Sequence, residues 1–173
     1  LGHHAMLKFE EGATPARIST SDFELGMNAT IMTEDPQVGS YSSLAFGGTF
    51  DSLDAVPLAN GGTTDLSTYP NRRGFEDVSF VVNKLGGLAW SAAVVPDEGF
   101  VWFGLKDPRI LRGTNFWYSN RSRHGAPWNG RHSNVLGVEE VTAFFHLGIV
   151  PSTSENEFTK RGYPSAVELS AET

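Results

Sequence analysis

The sequence contains no cysteine, which removes disulfides, thiolate nucleophiles and cysteine-based zinc sites together. Basic residues are scarce: 13 Lys and Arg stand against 20 Asp and Glu, for a net charge of −7. A chain with no basic face lacks what a phosphate backbone requires, so no nucleic acid is expected as a partner. No apolar run approaches the roughly 20 residues that span a bilayer, and no charged-then-apolar leader opens the chain. No membrane partner is expected, and the reading is a soluble, cytoplasmic protein. No GxGxxG follows a strand pattern, no GxxxxGK[ST] occurs, and no serine nucleophile elbow is present. No cofactor is expected.

What remains is one domain's worth of chain. At 173 residues there is room for a single core, and 12 Phe and 4 Trp make the composition that of a folded protein. The opening LGHHAM reads as a tag remnant ahead of a native start at Met6, which sets His3 and His4 aside and leaves three histidines for chemistry.

The periodicity is that of strands. Phe23, Leu25, Met27 and Ala29 alternate, whereas Pro15 to Ser21 reads as loop and Thr33 to Gly39 as a turn. Phe50 to Leu58 fits neither period and predicts irregular structure with a short strand, and Asn60 to Gly74 reads as one long loop. Val78 to Val82, Leu88 to Val95 and Phe100 to Leu105 are strands separated by tight turns, which predicts an antiparallel meander. Further strands are expected at Phe116 to Tyr118, Val135 to Val138 and Ala166 to Leu169. Val141, Phe144 and Phe145, followed by Gly148, predict a short helix from Glu140 to Leu147, and Ser154 to Lys160 suits one more helical turn. The fold class is therefore all-β, a mainly antiparallel β-sandwich with one or two short helices.

The chemistry gathers between Phe116 and Glu140, FWYSNRSRHGAPWNGRHSNVLGVEE, where a polar loop lies between two strands. His124 and His132 with Glu139 match no metal motif, and no metal is expected. Acid–base chemistry fits better. Glu139 closes an apolar strand, where partial desolvation raises a carboxylate's pKa toward neutrality, and His124 or His132 is the candidate proton donor. The competing reading, favoured by spacing alone, is that Glu139 and Glu140 cap the following helix. Trp117, Trp128, Asn129, Arg131 and Asp77 suit a sugar, since aromatic faces cover its C–H patches while amide, guanidinium and carboxylate groups pair with hydroxyls. Trp128 as a packed surface aromatic and Arg131 as a loop-holding residue are the plainer alternatives.

The run WYSNRSRHGAPWNGRHSNVLGVEEV resembles a segment in the C-terminal half of galactose mutarotase-like proteins, the aldose 1-epimerase superfamily. FDSLDAVPLANGGTTDLSTYPNRRGFED and SENEFTKRGYP resemble the same branch, so the likeness covers the chain from about Phe46 onward. The resemblance implies half of a β-supersandwich that binds a sugar on its concave face. In catalytic members a glutamate ending a late strand takes the proton of the anomeric hydroxyl, and a histidine from an earlier strand protonates the ring oxygen. Glu139 matches that glutamate. Family members run to nearly twice this length, and their sugar-contacting arginine and catalytic histidines lie in an N-terminal half without counterpart here. The chain then reads as a fragment, or as a short relative that closes open sheet edges by forming a homodimer. Catalysis requires His124, His132 or His146 to replace the missing acid. The expected function is carbohydrate binding with possible anomer interconversion, and the partner a sugar or other small polar ligand. The alternative is a non-catalytic oligomerising or small-molecule-binding module on the same truncated fold.

Overall fold

The computed structural model describes residues 1–31 and 42–171. The turn expected from Thr33 to Gly39 lies outside them. Twelve strands are named in chain order among the described residues: β1 (Gly2–Lys8), β2 (Ala16–Thr20), β3 (Phe23–Asn28), β4 (Thr49–Phe50), β5 (Val56–Pro57), β6 (Thr63–Thr64), β7 (Thr68–Tyr69), β8 (Phe75–Asn83), β9 (Ala89–Val95), β10 (Phe100–Lys106), β11 (Gly113–Asn120) and β12 (Val135–Val141). They form a six-stranded sheet in the order β1-β12-β11-β8-β3-β4, a four-stranded sheet β10-β9-β2-β7 and a small β5-β6 ladder, with antiparallel pairing throughout. The all-β, antiparallel sandwich is what the alternating pattern requires.

The core follows from the period of two. Val81, Phe116, Tyr118, Leu136 and Val138 point from the large sheet toward Ile18, Tyr69, Ala93 and Val95 of the small one, and all nine are buried. The opposite face of the large sheet is partly covered as well. Phe144, Phe145 and Phe158 pack on Met27, Phe80 and Val82, with the Phe80 and Phe158 rings 4.8 Å apart. Asn156 holds this cover in place: its amide nitrogen donates to the carbonyls of Pro151 and Ser154 and to Ser165 Oγ, while its oxygen accepts from the Phe158 and Thr159 amides.

Several expectations are corrected. Glu140 to Leu147 is not a helix. Glu140 belongs to β12 and pairs inside the sandwich, and Phe145 sits at φ 51°, a left-handed conformation through which a right-handed helix cannot run. The one α-helix among the described residues, α1, is Ile149–Thr153, and a single 3-10 turn follows at Thr159–Arg161. Ala166 to Leu169 is irregular. Pro15 to Ser21 contains strand β2, whose only inward side chains are Ala16 and Ile18, too few to show as alternation. The loop expected from Asn60 to Gly74 contains β6 and β7. Nor is β8 to β10 a meander: β8 pairs with β3 and β11, and the chain crosses to the other sheet to form the β9-β10 hairpin.

Candidate functional site

Register places the site. On the outer face of the large sheet His4 stands opposite Glu139, and Glu139 opposite Asn115, so strands β1, β12 and β11 contribute one side chain each to a single row. The adjacent row is Met6, Gly137 and Trp117. Gly137 matters because a Cβ there would stand 3.2 Å from His4 Nε2 and 3.2 Å from the Trp117 ring. Its bare backbone lets the imidazole and the indole approach over the strand, with ring centroids 6.4 Å apart.

His4 Nδ1 lies 3.9 Å from Glu139 Oε1, with the histidine side chain 45% exposed and the glutamate 14%. Burial pushes the Glu139 carboxyl above its ordinary pKa, opposed by the neighbouring His4 and by the Asn115 amide. Asn115 is fully buried; its amide completes no hydrogen bond of full geometry, and it stands close enough to the Glu139 carboxyl to lower that pKa. Register thus brings beside Glu139 two residues not singled out from sequence, His4 from the opening LGHHAM and Asn115 from a strand run with no chemical signature.

The loop from Arg121 to Asn134 folds over the other end of the same face. Glu76 is its anchor, accepting hydrogen bonds from Ser119 Oγ at 2.9 Å, Ser122 Oγ at 2.8 Å, Arg123 Nε at 2.9 Å and the Trp117 indole nitrogen. Because the Ser119 hydroxyl donates to Glu76, its 2.6 Å contact with His132 is made by an Nδ1–H donor, leaving Nε2 as acceptor. Burial lowers the His132 pKa, so the ring is neutral at pH 7. It is sandwiched between Trp117 and Trp128, with centroids at 5.2 and 4.7 Å, and Arg123 lies over both indoles.

The other residues singled out from sequence fall elsewhere. Asn129 and Arg131 donate to the loop's own carbonyls, Asn129 to Pro127 and Arg131 to Pro127 and Trp128, which makes them loop-holding residues. His124 is exposed on the loop. Asp77 faces the inner side of β8, where Ser42 Oγ, the Ser43 amide and Arg72 occupy its carboxylate, so it is not brought to the site. A cleft of about 220 Å³ beside it is lined by Glu10, Asn71, Arg72, Arg73, Asn120 and Asn134, and its two guanidinium groups are paired with Asp77 and Glu11. Glu140, next to Glu139, points inward to Lys106, and Thr114 Oγ1 donates to it at 2.7 Å. Burial lowers the Lys106 pKa to about 8.

Comparison with protein-family models, curated proteins and solved structures gave no match. Among the described residues no three His, Cys, Asp or Glu side chains are placed to hold a metal ion, and no helix is long and apolar enough to cross a membrane. The reading of the site rests on its own geometry.

Proposed function

We propose that the chain binds an aldose on the outer face of its large sheet and interconverts the two anomers, with Glu139 as proton acceptor and His4 as proton donor, a role that takes the opening LGHHAM as native chain and not as a tag. The observation that carries this reading is the pairing of His4 with Glu139 across β1 and β12, beside the Trp117 ring. The anomeric hydroxyl oxygen and the ring oxygen of an aldose are bonded to the same carbon, so an acid and a base that serve them have to stand close together. A carboxylate with a raised pKa is also a better base near neutrality than an ordinary one.

The proton count closes. Glu139 takes the proton of the anomeric hydroxyl, the electron pair of that O1–H bond forms the second bond of the C1=O1 carbonyl, the bond from C1 to the ring oxygen breaks with its electrons passing to that oxygen, and the oxygen takes a proton from the His4 imidazolium. After rotation about C1–C2 the ring hydroxyl attacks the other carbonyl face, returning its proton to His4 while Glu139 returns the first to O1. Trp117 supplies an apolar surface for the C–H face of the sugar. The resemblance to galactose mutarotase-like proteins supports the role of Glu139, and His4 takes the role left unfilled by His124 and His132.

Polarimetry of freshly dissolved aldose anomers tests the proposal. Wild type is expected to accelerate the approach to equilibrium, whereas Glu139→Gln and His4→Gln each lose the acceleration while still quenching tryptophan fluorescence on sugar binding. An uncatalysed rate in the presence of wild type overturns the catalytic reading.

A further inference from the structure

The cleft beside Asp77 is walled by separate segments of chain. The turn at residues 10–13 contributes one part of the wall and residues 70–73 another, while Asn120 and Asn134 are the most buried residues in its lining. Its volume, about 220 Å³, is below the roughly 300 Å³ at which pockets for drug-sized molecules begin, so it suits a small ligand. Three of its side chains keep unused hydrogen-bonding capacity. Glu10 makes no hydrogen bond or ion pair with any described residue. Arg73 gives one nitrogen to Glu11, which Arg121 also holds at 3.0 Å, and the remaining donors of the Arg73 guanidinium are unengaged among the described residues. Asn134 is 5% exposed. Its backbone is committed, the N–H donating to Asn120 Oδ1 at 3.2 Å and the carbonyl accepting from the Phe9 amide at 2.9 Å, but its side-chain amide bonds to no described residue. A polar side chain buried to that degree ordinarily has a partner, and the cleft is where one can stand.

The charges select the ligand. A simple anion on Arg73 would leave Glu10 facing it, a simple cation on Glu10 would leave Arg73 facing it, and a sugar would find no aromatic side chain in the lining. A zwitterion engages both. We infer that the cleft binds a free α-amino acid with an amide side chain, its carboxylate on Arg73, its ammonium on Glu10 and its amide paired with that of Asn134. Two amides match donor to acceptor in both directions, and the charged ends form the stronger, charge-assisted bonds. The inference is independent of the sugar reading, because none of His4, Trp117 and Glu139 lines the cleft.

Titration calorimetry with L-glutamine, L-asparagine and L-alanine, each to about 10 mM, tests it. Wild type is expected to bind the two amides about tenfold more tightly than alanine. Glu10→Gln and Arg73→Gln are each expected to weaken glutamine binding about tenfold or more while leaving the thermal midpoint unchanged, since both side chains are exposed. Asn134 sits at φ 52°, a conformation that glycine adopts freely, so Asn134→Gly removes the amide and keeps the backbone path. That variant is expected to bind glutamine no better than alanine. Glutaramate, which is glutamine without its ammonium group, is expected to give no heat, and Glu139→Gln to bind glutamine as wild type does. Absence of heat with both amides, equal affinity for glutamine and alanine, equal affinity for glutamine and glutaramate, or undiminished binding by Glu10→Gln or Arg73→Gln would each overturn the inference.

Discussion

Glu139 and Glu140 are consecutive on one strand, and the pleat sends them into opposite environments. Glu140 enters the sandwich, where Lys106 and Thr114 meet one carboxylate oxygen and the other, Oε1, is buried without a partner. Glu139 faces outward but is largely covered, with a histidine at 3.9 Å and the Asn115 amide beside it. The inner carboxylate is engaged in holding the two sheets together across β10 and β12. The outer one is held poised, partly desolvated and only weakly compensated. Identical residues one position apart thus differ in environment because strand geometry sends them to opposite faces of the sheet.

The largest effect expected from breaking this contrast is on the inner side. Glu140→Ala leaves the Lys106 ammonium buried without its counter-charge, bonded only to Thr114 Oγ1, and the loss of stability should be about 3–5 kcal/mol, read from the urea midpoint. Replacing both partners, Lys106→Met with Glu140→Leu, should restore most of that stability, because the pair's attraction largely offsets its own desolvation.

The pH dependence sharpens the comparison, because the two regions carry opposite signs. Glu139 has a folded pKa above its unfolded one, so the folded state holds the extra proton in that interval. Its contribution to stability is complete below the unfolded value and is lost as pH rises through the raised folded value. Lys106 has a folded pKa lowered from 10.5 to about 8, so between those values the unfolded state holds the extra proton and stability rises with pH. Glu139→Gln should flatten the acid limb of the stability profile alone, and Lys106→Met the alkaline limb alone. The smallest effect is expected in the loop: Arg131→Ala removes only bonds to the loop's own carbonyls and should change stability and sugar binding by no more than about 0.5 kcal/mol.

Much of the fold was legible because β8 to β12 are apolar runs bounded by turn residues, and the strand ending at Glu139 announced itself through VLGVEE. The helix expected after it failed because Val141, Phe144 and Phe145 are spaced like a helical stripe, but Val141 ends β12 while Phe144 and Phe145 cover a sheet face from an irregular segment. Strand β2 was missed because only its two inward residues are apolar. The polar loop was visible as chemistry, yet sequence could not separate side chains that bind their own loop, Asn129 and Arg131, from those stacked over the sheet, Trp128 and His132. The His4–Glu139 pair and the Lys106–Glu140 pair join residues far apart in the chain, and neither spacing nor periodicity carries information about such contacts.

The proposed chemistry requires Glu139 and His4 to act as one proton-exchanging pair. Carboxyl-carbon NMR titration of Glu139 in wild type and in His4→Gln tests it directly. The account predicts an inflection above that of an ordinary glutamate in wild type, moving higher still when His4 and its attraction are removed. An inflection at the ordinary glutamate value that does not respond to His4→Gln would contradict it.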